Sequence, residues 1–194
     1  MNFEHIKDLV YSRKSTYPAQ FSGAKIADTV VWELLDLVRW APTHRLTEPW
    51  KFQVYSDSAL DRIVELHRSY YLATTEVSQR NPKKLEKYDT VKNKVSHLVA
   101  IVLDRDEMQR VPEWEEVAAL AMGVQNLYLG MEALGVCGYW STGNGTGKKP
   151  MEEKLNLGPN ESLMGWFYLG IPTEGLQSNR LRKPIEDKVD WFSE

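Results

Sequence analysis

The chain has 194 residues, 24 Lys and Arg against 27 Asp and Glu, a formal charge of −3, and 42% hydrophobic residues. That balance fits a globular domain able to bury its own core and, with no extended basic block, argues against nucleic acid as the main partner. The single cysteine, Cys137, excludes an internal disulfide framework and a multi-cysteine zinc site.

Phe3 to Ser12 places Phe3, Ile6, Leu9 and Val10 on one face of a short amphipathic helix. Asp28 is a candidate N-cap for a second helix carrying Val31, Leu34, Leu35 and Val38, which Pro42 closes. A loop from Pro42 to Pro49 leads into Lys51–Tyr55, which alternates polar and apolar as a half-buried strand does. Helical spacing returns from Asp57 to about Val77. Asn81-Pro82 breaks it, and the polar stretch Lys83–His97 predicts another helix with a solvated charged face.

Leu98–Leu103 is a continuous apolar run and predicts a strand buried on both faces. Glu113–Leu134 predicts a central core helix, apolar nearly all round its middle, with Gly135 as its C-terminal stop. A strand over Val136–Ser141, a glycine-rich loop over Thr142–Lys149, a short helix over Pro150–Leu155 and a last strand over Leu163–Leu169 follow. Four strands interleaved with helices predict an α+β or α/β domain with one central sheet. With no repeat or linker, residues 1–194 read as one domain. The tail from 170 to 194 reads as an arm over the surface or over a partner.

The glycine loop does not match a nucleotide fingerprint. A P-loop would need Gly where Thr142 stands and Ser or Thr at Lys149, and a dinucleotide turn would need Gly at Lys148. Asn144-Gly-Thr146 and Asn160-Glu-Ser162 match the glycosylation acceptor pattern, which carries no meaning without a secretory signal. The chain opens with neither a basic segment nor a long apolar run, and has no 18-residue apolar stretch. A cytoplasmic protein without a membrane span is the expectation. The four histidines form no metal-binding pair, so no metal is expected. His5, His67 and His97 read as helix-surface or helix-end residues, and Cys137 as a buried structural thiol.

Three clusters carry candidate chemistry. Ser12-Arg13-Lys14-Ser15 sets two cations and two hydroxyls beside a helix end, a combination suited to a phosphate. Arg180-Leu-Arg182-Lys-Pro184 is a second basic group that could close over the same anion or merely solubilise the tail. The loop Ala41-Pro-Thr-His44-Arg-Leu-Thr-Glu48-Pro-Trp50 packs donors and acceptors between two prolines.

Taken in order, Ser12-Arg-Lys-Ser15, Ala41-Pro-Thr-His with Glu-Pro-Trp-Lys-Phe52, Val111-Pro-Glu-Trp114, Gly138-Tyr-Trp-Ser-Thr-Gly143 and Gly165-Trp-Phe-Tyr-Leu-Gly-Ile-Pro172 resemble the nitroreductase family, in its compact subgroup, over about residues 4 to 192. The resemblance implies an α+β fold with a central, mostly antiparallel sheet flanked by helices. It also implies a homodimer with FMN at the subunit interface, and a C-terminal arm embracing the partner. Arg13 and Ser15, with Lys14 beside them, would hold the FMN phosphate or ribityl chain. Trp140, Ser141 and Thr142 would run along the ring, and Arg180 and Arg182 are further phosphate candidates. His44, with Trp40, would reach the flavin from the opposite subunit. Glu48 stands where the family often has Gln.

The implied activity passes hydride from NADH or NADPH through FMN to nitroaromatic, quinone or similar electrophilic small molecules by alternating half-reactions. No protein acid, base or nucleophile is required, because the flavin carries the chemistry. Two other readings of the same residues are a flavin-binding dimeric module without reductase turnover, and a structural homodimer whose tryptophans form an interface.

Overall fold

The computed structural model describes residues 2–143, 148–175 and 181–193. The described residues hold six α-helices and four strands, in chain order α1 (Phe3–Ser12), α2 (Asp28–Val38), β1 (Trp50–Ser56), α3 (Asp57–Thr74), α4 (Pro82–Lys94), β2 (His97–Asp104), α5 (Glu113–Ala133), β3 (Cys137–Ser141), α6 (Lys148–Lys154) and β4 (Glu161–Gly170). The strands form one antiparallel sheet in the order β1-β2-β4-β3. The fold is therefore α+β, with helices on both faces of an antiparallel sheet, as the resemblance implies.

The continuous apolar run of β2 follows from its position inside the sheet, where both faces are covered. Leu98, Ala100 and Val102 pack with Leu60, Ile63 and Val64 of α3 and Val91 of α4. Val99, Ile101 and Leu103 pack with Leu34 and Val38 of α2 and Leu120, Val124 and Leu127 of α5. Alternate residues of one strand thus seed two cores, one on each face.

α5 ends in two interlocked bonds. The Val136 N–H donates to the Met131 carbonyl and the Gly135 N–H to that of Glu132, with Gly135 at φ +65°. This is the reversal that glycine permits most readily at a helix end. Near the other end, Glu116 is buried and accepts from Arg105 Nε at 2.8 Å and the Asp106 N–H at 2.9 Å, tying α5 to the exit of β2.

Several sequence expectations are corrected. α3 stops at Thr74 and α4 at Lys94, so His97 opens β2 instead of ending a helix. Its buried ring reaches Asp28 Oδ1 at 2.9 Å from Nε2. Asp28 serves that contact and does not cap α2, whose N-cap position is Ala27. Among the described residues one side of α5 is left uncovered: Met122 and Trp114 are exposed, and the buried apolar set is Ala119, Leu120, Val124, Leu127, Tyr128 and Met131.

The C-terminal segment is pinned as far as Thr173, through a bridge between Phe21 and Pro172 and a bond from the Thr173 N–H to the Gln20 carbonyl. Residues 181–193 are exposed throughout, Trp191 and Phe192 among them. No helix among the described residues is long and apolar enough to cross a membrane.

Candidate functional site

The turn after α1 carries Arg13, Lys14 and Ser15 past the end of α5 and beside β3, where the Thr16 N–H donates to the Gly138 carbonyl at 2.9 Å. A residue that sequence reasoning passed over joins the parts. Tyr128, buried on α5, accepts the Trp140 N–H of β3 at 2.9 Å, and its hydroxyl lies 3.3 Å from Ser15 Oγ. Because the Tyr128 oxygen accepts from Trp140, its proton is free for Ser15. The guanidinium of Arg13 sits 5.2 Å from the centre of the same ring, a cation–π contact. Arg13, Ser15 and Trp140 are thus assembled around one side chain.

Lys14 lies near the same tyrosine. It lines a small cavity of about 120 Å3 with Tyr128, Glu132 and Cys137. Burial pushes the Cys137 thiol up to about 12, against smaller opposing effects of a hydrogen bond with Thr16 and the charge of Lys14. A thiol so displaced stays protonated near neutrality, in keeping with a structural role.

Trp140 and Ser141 are adjacent on β3 and so face opposite sides of the sheet. The Trp140 ring packs into the α5-side core and its Nε1 donates to the Met164 carbonyl at 3.2 Å. Ser141 and Thr142 instead line a cavity of about 720 Å3 on the α3–α4 side. The close approach of β3 and β4 depends on Gly165. The β2–β4 register shifts between Ile101 and Val102, leaving Met164 without a partner, and Gly165 takes φ +134°. A Cβ there would lie 2.6 Å from the Ser141 carbonyl oxygen and 2.7 Å from Trp140 Nε1. The bulge therefore shapes the end of the sheet where Ser141 and Thr142 enter the cavity.

The larger cavity falls within the usual range for small-molecule sites. His67, Tyr71, Tyr88, Trp166 and Tyr168 give it aromatic walls, Lys84 and Lys87 supply charge, and no Asp or Glu among the described residues lines it. His67, read from sequence as a helix-surface residue, stands edge-on to Trp166 with ring centres 4.7 Å apart. Burial lowers its pKa to about 4, so it is neutral at pH 7.

The remaining candidates do not join this assembly within one chain. Trp40 is exposed at the end of α2, with Arg39 5.5 Å over its ring. His44 Nδ1 lies 2.5 Å from Glu115 Oε2, on a loop in which Arg45, Leu46 and Glu48 all have left-handed backbone. The Glu48 N–H donates to Thr43 Oγ1 at 3.1 Å, and Thr43 and Thr47 pair through their hydroxyls at 3.2 Å. Among the described residues, neither Trp40 nor His44 bonds to Arg13, Lys14, Ser15, Trp140, Ser141 or Thr142. Arg182 is exposed and among the described residues bonds to the Leu181 carbonyl alone, while Arg180 and residues 144–147 of the glycine loop lie outside the described residues. No group of three or more His, Cys, Asp or Glu among the described residues could hold a metal.

Comparison with known proteins adds an independent line. The family model described as "Nitroreductase family" matches residues 10–171. The YfhC protein of Bacillus subtilis (strain 168), provisionally named an NAD(P)H nitroreductase, is 25% identical over 183 residues, covering 94% of this chain and 92% of its own. Among solved structures, a nitroreductase-like family protein from Bacillus cereus is similar with a TM-score of 0.79 at 20% identity, over 99% of this chain and 98% of that one. The FMN-dependent nitroreductase NfnB from Mycobacterium smegmatis, solved in complex with NADPH, is similar with a TM-score of 0.72 at 14% identity, over 98% and 99% of the two chains.

Proposed function

The chain belongs to the nitroreductase family, and on that premise we propose that it is an FMN-dependent NAD(P)H oxidoreductase acting on nitroaromatic, quinone or similar electrophilic acceptors. The observation that carries this reading is the gathering of Arg13, Ser15 and the Trp140 N–H on the buried Tyr128, at a sheet end whose Ser141 and Thr142 open into a large aromatic cavity.

The residues suit FMN. A guanidinium and a hydroxyl held by a common partner match a phosphate or a ribityl chain, since Arg can bond two oxygens at once. A cavity of about 720 Å3, with no lining carboxylate among the described residues, has room for a planar ring. FMN bound there would supply the redox chemistry, a two-electron exchange in alternating half-reactions; for a quinone, the overall balance would be NAD(P)H + H+ + quinone to NAD(P)+ + hydroquinone.

The protein's part is to grip and orient. Arg13 and Ser15 anchor the polar chain, with Lys14 as a nearby cation. Trp140, Ser141 and Thr142 position the ring, Trp140 through the strand it braces and the other two through their hydroxyls. Trp40 and His44 reach the flavin of a partner subunit, and Arg180 and Arg182 close on the phosphate. The unit is a homodimer of single-domain chains, with residues 170–194 as the arm laid over the partner. Exposed Trp32, Trp40, Trp114, Trp191 and Phe192 are the large side chains that such an interface would cover. The cytoplasm, where reduced nicotinamide is at hand, is the compartment that suits the reaction.

The test is flavin content followed by turnover. The purified protein is expected to be yellow, or to gain flavin absorbance that survives gel filtration after mixing with FMN. It should then oxidise NADH or NADPH when a nitro or quinone acceptor is added. A colourless protein that takes up no FMN overturns the reading. Bound flavin without acceptor-dependent oxidation above that of free FMN reduces it to a binding module.

A further inference from the structure

The large cavity has a charge pattern that flavin binding alone leaves unused. Lys84 and Lys87 sit three residues apart on α4, on one face of the helix, and both line the cavity. Lys84 Nζ lies 4.0 Å from the centre of the Tyr71 ring, and Lys87 Nζ 5.8 Å from that of Tyr168. Among the described residues no carboxylate forms an ion pair with either lysine, although neighbouring Asp89 is engaged by Arg68 at 3.1 Å. The pKa of Lys87 is lowered from the ordinary lysine value by burial and then by the charge of Lys84. Two like charges set against aromatic walls without a counter-ion oppose each other, and an anion between them removes that opposition. His67, neutral at pH 7, adds a hydrogen-bonding edge without adding charge.

The rings supply the other half of the recognition. Tyr71, Tyr168 and Trp166 line the same space, and aromatic ligands pack against such rings by stacking or edge contact. The Arg13–Ser15–Tyr128 assembly lies on the α5 side of β3, whereas Lys84 and Lys87 lie on the α3–α4 side. The two cationic groups are therefore separate, and Ser141 and Thr142 mark the end of the cavity nearest β3.

We propose that this cavity is the acceptor site and that Lys84 and Lys87 make it select planar aromatic anions, such as carboxylates and sulfonates carrying a nitro or quinone group, over their neutral counterparts. The proposal rests on the reductase reading and deepens it by naming the substrate class.

The test compares 4-nitrobenzoate with 4-nitrobenzamide, which share ring and nitro group and differ in charge. The flavin-loaded protein is expected to favour the benzoate in kcat/KM by at least about tenfold, the order of one charge-assisted contact. Equilibrium dialysis of benzoate against benzamide, with no reductant present, is expected to show the same preference in binding. Lys84→Met and Lys87→Met keep the stem and remove the charge, and each is expected to cut the benzoate-to-benzamide ratio about tenfold. Lys84→Arg and Lys87→Arg are expected to keep it.

Equal use and equal binding of the two ligands by the wild type overturn the proposal while leaving the reductase reading intact. So does a loss in the Met variants shared equally by both ligands, or one that follows a fall in flavin content, which would assign the lysines to the cofactor. Absence of turnover with these two acceptors and with a quinone reduces the reductase reading to a binding module, and dialysis still decides whether the cavity selects anions.

Discussion

Two regions of the candidate site are built in opposite ways. Around Tyr128, itself buried, Arg13 and Trp140 are half-buried, Ser15 is exposed, and the group is already joined: Trp140 donates to the tyrosine oxygen, Ser15 lies within hydrogen-bond reach of it, and Arg13 covers the ring. At the 42–49 loop and in the tail, Trp40, His44, Trp191 and Phe192 are exposed. The difference teaches that one half of the candidate site is joined by the fold of a single chain, while the other half leaves its side chains exposed among the described residues. A preassembled group loses little freedom when a ligand arrives, whereas exposed side chains must be ordered on binding. Affinity for flavin should therefore depend most on the inner region, and self-association on the outer one.

The largest effect expected from this contrast comes from Arg13→Ala combined with Ser15→Ala. Removing a guanidinium and a hydroxyl that meet a phosphate or ribityl oxygen costs at least one charge-assisted hydrogen bond, and FMN binding should weaken about a hundredfold. Flavin titration measures it. Unchanged affinity would remove the inner region from the cofactor site and favour a purely structural dimer.

Much of this arrangement was readable before folding, and the part that was not has a physical cause. The apolar run 98–103 announces a strand covered on both faces because no one-sided strand has such a pattern. Gly135 announces the end of α5 because few other residues adopt its left-handed backbone so readily. Arg13 and Ser15 were visible as a cluster, since they lie within three residues of each other. Tyr128 and His67 were not. Each reads locally as an ordinary helix position, and each gains its part only when distant segments meet: Tyr128 when the α1 turn, α5 and β3 converge, and His67 when α3 settles over Trp166 of β4. The exposure of one side of α5 was hidden for the converse reason. Composition counts apolar residues all round the helix without saying which body covers them.

The outer region supplies the next effect. Trp191→Ala with Phe192→Ala removes two exposed rings from the tail. If the tail lies on a partner subunit, self-association should weaken by about thirtyfold, in line with the loss of aromatic anchors at an interface. Sedimentation at several protein concentrations measures it. Flavin affinity per assembled dimer should change far less than in the Arg13/Ser15 variant. Loss of flavin without loss of self-association would invert the division between the two regions.

Tyr128→Phe is the smallest and most pointed change. It keeps the ring under Arg13 and deletes only the oxygen that receives the Trp140 N–H and faces Ser15. The ring still packs against Phe167 at 4.9 Å, so no large cavity opens. What is lost is one acceptor for a half-buried N–H, a cost of about 1 kcal/mol in stability, read as a lower denaturation midpoint at unchanged slope. If Tyr128 also sets the position of Ser15, flavin affinity should fall a few-fold while self-association stays as it was. A stability loss with full flavin affinity would make the tyrosine a brace for β3 alone, and the joining of Arg13, Ser15 and Trp140 would then be a matter of packing instead of cofactor recognition.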